Sequence, residues 1–213
     1  MTIADELRVE IERAYLARGD RLGWRLLYSP VSVLEQAEVA FVGLNPGGSY
    51  VDPTHPSLAC PDGTSAYVTE RWKDLAPGQD ALQKQVRLLF AKIGVAPQEV
   101  LAGNLVPFRS PNWDSLTDKN AALEFGQRIW RRILAHARPK LVVAMGSPSA
   151  TAISNVLGAK VTTVPIGWGA MTATQARTAE MTFVGLPHLS RFQLFGRAAS
   201  EPVLDRLFAD WRG

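Results

Sequence analysis

The sequence contains one cysteine, Cys60, and three histidines among its 213 residues. A single cysteine excludes an internal disulfide, a zinc site made of cysteines and an iron–sulfur cluster held by four cysteines. No Gly-x-Ser-x-Gly sequence occurs, which disfavours a serine hydrolase of the α/β-hydrolase type. We therefore expect a protein that holds neither a metal ion nor a cofactor.

Long apolar stretches are also missing. No run approaches the roughly 20 apolar residues that a membrane-spanning helix needs. The first residues include Asp5, Glu6, Glu10 and Glu12, whereas a secretory signal peptide begins with a basic and then an apolar region. The expectation is a soluble, cytoplasmic protein without a membrane partner.

The residues that are present suffice for one packed domain. Apolar residues make up 46% of the chain, and its length suits a single domain over residues 1–213. The net charge of +3 and the pI of about 9.2 permit a nucleic-acid partner without requiring one. We expect the domain to be a monomer.

Four apolar runs rich in β-forming residues recur along the chain. Between them lie segments in which apolar residues repeat with helical spacing. This alternation predicts an α/β fold, with a central, mostly parallel four-stranded sheet covered by helices on both faces. The predicted strands are Val39 to Leu44, Val100 to Val106, Leu141 to Met145 and Thr182 to Leu186.

Residues 46–79 interrupt this alternation. They are rich in Pro, Gly, Ser, Asp and Thr, and the segment is longer than the usual connection in a compact domain. Because it follows a strand directly, we predict that it is a functional loop.

Polar side chains stand at the carboxyl ends of three predicted strands. Asn45 lies in a Gly/Pro turn after the first strand, Asn104 lies near the end of the second, and His188 follows the fourth. Ligands bind at this edge of open α/β sheets. Three independent placements at one edge predict a pocket shared by two amides and an imidazole.

Each of these residues also has a structural explanation. An asparagine in a glycine-rich turn, such as Asn45, often bonds its own backbone. Asn104 can complete the hydrogen bonding of a strand end, and a lone histidine such as His188 is more often structural than catalytic. The residues by themselves leave both explanations open.

Taken together, the three segments resemble the uracil-DNA glycosylase superfamily, especially its mismatch-specific and single-strand-selective branches. Gly43-Leu44-Asn45-Pro46-Gly47 is similar to the first motif of those branches. Asn104-Leu105-Val106-Pro107 is similar to the strand that bears the base-reading asparagine, and His188-Leu189-Ser190-Arg191 to the second catalytic motif. The order of the motifs extends the resemblance from about residue 38 to about residue 197.

The resemblance implies a monofunctional DNA glycosylase that flips uracil, or a related damaged base, out of single-stranded or mismatched DNA and hydrolyses its N-glycosidic bond. Asn45 would position the attacking water, His188 would donate a hydrogen bond to the leaving base, and Asn104 would read the base edge. The other residues predicted to bind the base are Gly43, Leu44, Pro46, Gly47, Tyr67 and Ser190, and those predicted to contact DNA are Arg109, Arg191, Phe192 and Arg197.

The chemistry of this reaction agrees with these residue types. Breaking the bond between deoxyribose and base leaves a cationic sugar and an anionic base, so preorganised polar groups suffice. An amide such as Asn104 can pair with the carbonyl and ring N–H of uracil, whereas the amine of cytosine would meet a mismatched group.

Some positions depart from the pattern of the branch that is strictest for uracil. That branch has an aspartate at the position of Asn45 and a tyrosine at that of Gly47, so we expect a broader pocket and slower chemistry here. The stacking aromatic that should follow the first motif is missing, with Leu58 near its place. Tyr67, from the long loop, is the predicted replacement.

Two other functions fit the same residues. A domain of this fold can recognise an unusual base in DNA without cutting it. An α/β enzyme can also act on a free nucleotide and use its glycine turn for the phosphate. Clustering of Lys and Arg beside the pocket would favour DNA.

Overall fold

The computed structural model describes residues 1–51, 53–209 and 211–212. At its centre lies a mixed six-stranded sheet with the strand order β2-β1-β3-β6-β5-β4. The strands are β1 (Val39–Gly43), β2 (Leu101–Asn104), β3 (Leu141–Met145), β4 (Thr162–Pro165), β5 (Thr172–Arg177) and β6 (Thr182–Leu186).

The four predicted strands form the parallel part of this sheet. β1 pairs with β2 and β3, β6 pairs with β3, and all three pairings are parallel. Every residue of these strands is buried. Burial on both faces explains why their sequences are continuously apolar instead of alternating. The predicted α/β fold with a mostly parallel sheet is confirmed.

The sheet has two strands more than predicted. β4 and β5 form an antiparallel hairpin on the edge of β6. In β4, Thr162, Thr163 and Pro165 are exposed, and β5 is mostly polar. Strands at a sheet edge bury little surface, so they lack the apolar run that reveals a core strand.

Helices cover both faces of the sheet, as predicted. α1, α2, α5 and α6 pack on one face, and α3, α4 and α7 pack on the other. Within the described residues, no helix has both the length and the apolar character needed to cross a membrane. The helices are α1 (Ile3–Arg18), α2 (Val33–Gln36), α3 (Ala66–Thr69), α4 (Ala81–Ile93), α5 (Lys119–Ala137), α6 (Ser147–Leu157) and α7 (Glu201–Leu207).

The long loop predicted over residues 46–79 contains α3 and packs against the segment 24–29. Backbone hydrogen bonds join the two, for example from the Leu26 N–H to the Ser57 carbonyl (2.9 Å). The segment 24–29 itself runs antiparallel beside β2. The loop is therefore attached to the sheet through this segment.

Candidate active site

The carboxyl ends of the four parallel strands lie side by side. Asn104 of β2 is opposite Gly43 of β1, and Met145 of β3 is opposite Leu186 of β6. A Cβ atom at Gly43 would lie 3.6 Å from Asn104 Oδ1 and 3.7 Å from Met145 Cε. Gly43, Asn104 and Met145 therefore face one another on one side of the sheet.

Asn45 lies two residues after Gly43, the end of β1, and His188 lies two residues after Leu186, the end of β6. They leave β1 and β6, which are separated by β3 alone. Because neighbouring strands lie about 4.8 Å apart, the two exits are roughly 10 Å apart along the edge. A Cβ atom at Gly146, directly after β3, would lie 3.7 Å from His188 Cδ2. The fold thus brings Asn45, Asn104 and His188 to one edge of the sheet.

The orientation of the half-buried Asn45 side chain follows from its acceptors. Nδ2 donates to Ser110 Oγ (2.8 Å) and, at 3.4 Å, to the carbonyl oxygens of Phe108 and Pro46. Ser110 Oγ uses its own hydrogen to donate to the Asn112 carbonyl (2.8 Å), so it accepts from Asn45. The NH₂ group is therefore turned toward the loop after β2, and Oδ1 is left to accept a hydrogen bond from water or a ligand.

The His188 imidazole is held by its own turn. The Ser190 N–H lies 3.3 Å from Nδ1, and Ser190 Oγ lies 2.8 Å from the same atom. A backbone N–H can only donate, so Nδ1 is an acceptor and the neutral ring carries its proton on Nε2. Burial, and then the positive charge of Arg191, lower the pKa of His188 and favour this neutral form. The ring therefore presents an N–H donor at Nε2.

Asn104 is buried, and its two amide atoms have different surroundings. Nδ2 donates to the Arg25 carbonyl (3.1 Å), which is the strand-end hydrogen bond expected of a structural asparagine. Oδ1 instead faces Gly43. A structural role therefore explains the hydrogen bond of Asn104 Nδ2. Asn104 Oδ1 is the atom that faces Gly43, the first residue of the segment 43–47.

Arg25, whose carbonyl holds Asn104, forms an ion pair in which its own side chain is buried and that of Glu70 is 11% exposed. Its guanidinium donates to both carboxylate oxygens of Glu70 and lies 4.4 Å from the centre of the Tyr28 ring. Burial disfavours both charges, but the hydrogen bonds between them raise the pKa of Arg25 and lower the pKa of Glu70. Because Glu70 follows α3 in the long loop, this pair fastens the loop to the segment that orients Asn104.

Tyr67, the predicted stacking aromatic, lies on the same face of the sheet as Gly43. Its ring packs edge-on against Phe41, two residues before Gly43, with a centroid distance of 5.9 Å. The residue is 1% exposed and also packs against Tyr28 and Trp72. Tyr67 is thus part of the core, and stacking on a base stays a prediction that requires this ring to become accessible.

The other residues of the first motif form the turn after β1. Leu44 is half-buried against the core, Pro46 is buried and Gly47 is exposed. The Val106 N–H donates to the Leu44 carbonyl (2.8 Å), so the pairing of β1 and β2 continues past the ends of both strands. This pairing fixes the turn that carries Asn45.

The residues predicted to contact DNA fall into two groups. Arg109 lies at the Asn45 end, where its guanidinium donates to the Gly47 carbonyl. Arg191, Phe192 and Arg197 follow His188, and both of these arginines are exposed. The fold therefore divides the predicted contacts between the two ends of the site.

Two residues of this edge, Ser110 and Trp168, are not predicted from the sequence. Ser110, which holds Asn45, is 3% exposed, and a single buried serine produces no pattern in a sequence. Trp168 lies in the turn between β4 and β5, two strands that were not predicted. The available signal for Trp168 was a Gly-Trp-Gly sequence.

Between the arginines at its two ends, the site presents the amides of Asn45 and Asn104, the Ser110 hydroxyl and the imidazole of His188. Among the described residues, no group of three or more His, Cys, Asp and Glu side chains is arranged to hold a metal ion. These hydrogen-bonding groups suit the polar edge of an uncharged ligand and one water molecule.

The family comparison agrees with this fold. The model of the uracil DNA glycosylase superfamily matches residues 31–212, a range that contains all six strands together with Asn45, Asn104 and His188. The chain therefore belongs to the uracil DNA glycosylase superfamily, whose members are generally glycosylases that act on DNA. A search of the curated proteins finds no match.

Proposed function

We propose that this protein hydrolyses the N-glycosidic bond of uracil, or of a closely related deaminated base, in single-stranded or mismatched DNA. The observation that carries the proposal is the pair of oriented groups at one sheet edge. Among the described residues, Asn45 Oδ1 accepts no hydrogen bond and His188 Nε2–H donates none, while Nδ2 and Nδ1 of the same side chains are engaged.

The Asn45 oxygen suits the positioning of a water molecule. Its NH₂ group is already engaged by Ser110, so Oδ1 accepts a hydrogen bond from water and directs the water oxygen toward C1′ of the flipped nucleotide. An amide oxygen is too weak a base to keep the proton. The proton therefore passes to solvent after the water oxygen bonds to C1′, so departure of the base must come first.

The neutral His188 ring suits the stabilisation of the leaving base. When the bond between C1′ and the base nitrogen breaks, the electron pair leaves with the base and its charge collects on a carbonyl oxygen. An N–H donor fixed in advance at that position stabilises the charge without reorganisation. The Ser190 N–H keeps the donor on Nε2.

Asn104 Oδ1 supports a preference for uracil. A carbonyl oxygen beside Gly43 accepts a hydrogen bond from the ring N–H of uracil, whereas the corresponding nitrogen of cytosine carries no hydrogen. At Gly47 a Cβ atom would meet no atom of the described residues within 4 Å, which supports acceptance of bases larger than uracil.

Release of free base from oligonucleotides tests this proposal. Uracil, xanthine, hypoxanthine and alkylated bases are each placed in single-stranded and in mismatched DNA, and abasic sites are detected by strand cleavage. Asn45→Ala is expected to lower the rate about 10²- to 10³-fold while leaving DNA binding intact. Asn155→Ala, an exposed asparagine near the far end of α6, is the matched control and is expected to keep the full rate.

Two results would contradict the proposal. Release of no base from any substrate by the folded protein would favour a module that binds DNA without cutting it. Base release that is equally fast in Asn45→Ala would show that another residue positions the water.

A further inference from the structure

The hairpin of β4 and β5 extends the candidate active site beyond His188. β5 runs antiparallel to β6, with Thr174 opposite Gly185. The turn between β4 and β5, residues 166–171, therefore lies beside the carboxyl ends of the parallel strands, where His188 also lies. It stands on the side of His188 that faces away from Asn45.

This turn is packed firmly against the chain that follows His188. Arg197 lies over the Trp168 ring at 4.3 Å from its centre, and Phe192 meets the same ring edge-on at 5.8 Å. Gly167 has a φ of +72°, and a Cβ atom there would lie 2.0 Å from the Ala199 carbonyl oxygen. The close approach requires glycine, so the turn and the segment after His188 form one unit. We call Trp168, Arg191, Phe192 and Arg197 the hairpin platform.

The hairpin platform is cationic. Between residues 161 and 200 the sequence has one acidic residue, Glu180, and it lies in the turn between β5 and β6 at the opposite edge of the sheet. The next acidic residue, Glu201, is paired with Lys92 (2.6 Å). Arg191 and Arg197 are exposed, so their charges face solvent at the edge that carries His188.

The family resemblance already predicts that Arg191, Phe192 and Arg197 contact DNA. We propose that Trp168 and its turn join them, so that the hairpin platform binds the single-stranded DNA segment adjoining the nucleotide in the candidate active site. Trp168 is partly exposed and offers its ring to a base, while Arg191 and Arg197 contact the phosphates on either side. Aromatic rings interleaved with arginines are the usual surface for a nucleic-acid strand that is bound without sequence preference. This inference rests on the proposed function for its choice of DNA as the partner.

Binding of a fluorescein-labelled oligothymidylate, followed by anisotropy at several salt concentrations, tests the hairpin platform. Trp168→Ala is expected to weaken binding at least about fivefold, and Trp168→Phe is expected to restore part of the loss. Arg197→Gln is expected to weaken binding and to reduce the slope of log affinity against log salt by about 1. Thermal unfolding of each variant shows that it is folded.

Arg212→Gln is a closely matched control. Arg197 stacks on Trp168 and donates from Nε to the Gly167 carbonyl (3.3 Å). Arg212 likewise stacks on a tryptophan, Trp211, at 4.8 Å, and donates to the Gly94 carbonyl (2.7 Å). It borders a depression with Lys140, which precedes β3, and so lies at the opposite edge of the sheet. Its replacement is expected to leave both affinity and salt slope unchanged.

The outcomes separate this inference from the proposed function. If the Trp168 and Arg197 variants bind oligothymidylate as tightly as the unaltered protein, the platform is overturned even when base release is normal. If the unaltered protein fails to bind the oligonucleotide, the platform is likewise overturned. If binding depends on Trp168 but no base is released, the platform stands and the glycosylase proposal fails.

Discussion

Asn45 and His188 leave the same edge of the sheet, but different kinds of contact orient them. Asn45 is held by Phe108 and Ser110, 63 and 65 residues later in the chain. His188 is held by Ser190, two residues later. The local sequence around His188 is therefore sufficient to orient its ring. The orientation of Asn45 exists only when the loop after β2 has folded against the turn after β1.

Asn104 resembles Asn45 in this respect. Its partner is the Arg25 carbonyl, 79 residues earlier in the chain, and Arg25 is fixed by Glu70 from the long loop. Substitutions in distant loops should therefore disturb the two amides and leave the imidazole unchanged. Substitutions at Glu70, Ser110 and Arg191 test that division.

Glu70→Gln is expected to lower the free energy of unfolding by about 3 kcal/mol, because it leaves the buried Arg25 guanidinium without a counter-charge. Denaturant titration measures the change. Glu180→Gln, which replaces an exposed carboxylate, is the control and is expected to have little effect. A loss below about 1 kcal/mol for Glu70→Gln would mean that the ion pair does not fasten the loop.

Ser110→Ala is expected to reduce kcat about tenfold with little change in KM. The loss of the Oγ acceptor frees the Asn45 amide to rotate, and a misplaced water affects the transition state more than substrate binding. Steady-state kinetics on the best substrate from the base panel measures the effect. The Asn45 side-chain NH₂ resonances should also shift, and that readout does not depend on activity.

Ser115→Ala is the control for Ser110→Ala. Ser115 Oγ donates to the same Asn112 carbonyl (2.9 Å) but makes no hydrogen bond to Asn45 among the described residues. If both variants lose activity equally, the loop acts through its general stability and Ser110 has no specific role in positioning Asn45.

The parallel core of the fold could be predicted from the sequence, and the edge hairpin could not. Strands buried on both faces must be apolar throughout, so β1, β2, β3 and β6 are visible as runs of apolar residues. β4 and β5 bury few side chains, so their mostly polar sequences predict a connecting loop instead of strands. Trp168 was missed for this reason, because its place at the site depends on the register of β5 against β6.

The positions of the site residues could be predicted, but their orientations could not. A strand end followed by a turn locates Asn45 and His188, because all parallel strands present their carboxyl ends at one edge. Which atom of the Asn45 amide points outward depends on Ser110. The burial of Tyr67 depends on rings from three other segments. No local pattern encodes such contacts.

Arg191→Gln should have the smallest effect on kcat, and that effect should arise from a change in the protonation of His188 alone. Burial, followed by the charge of Arg191, lowers the pKa of His188, and the neutral ring is the form that accepts at Nδ1 and donates from Nε2. Activity should therefore be complete above the ordinary histidine pKa of about 6.5 and fall as the pH drops through the lowered value. Removing the Arg191 charge raises the pKa of His188, so the acid limb of kcat should move to higher pH.

The pH profile of kcat at saturating DNA, together with NMR titration of the imidazole, measures this shift. Arg197→Gln is the control, because the Arg197 guanidinium stacks on Trp168 and is not among the charges that lower the pKa of His188. Equal acid limbs in Arg191→Gln and the unaltered protein would show that burial alone keeps His188 neutral. In that case the turn after β6 would set both the orientation and the protonation state of His188 without the charge of Arg191. The contrast with Asn45, which depends on a distant loop, would then be larger.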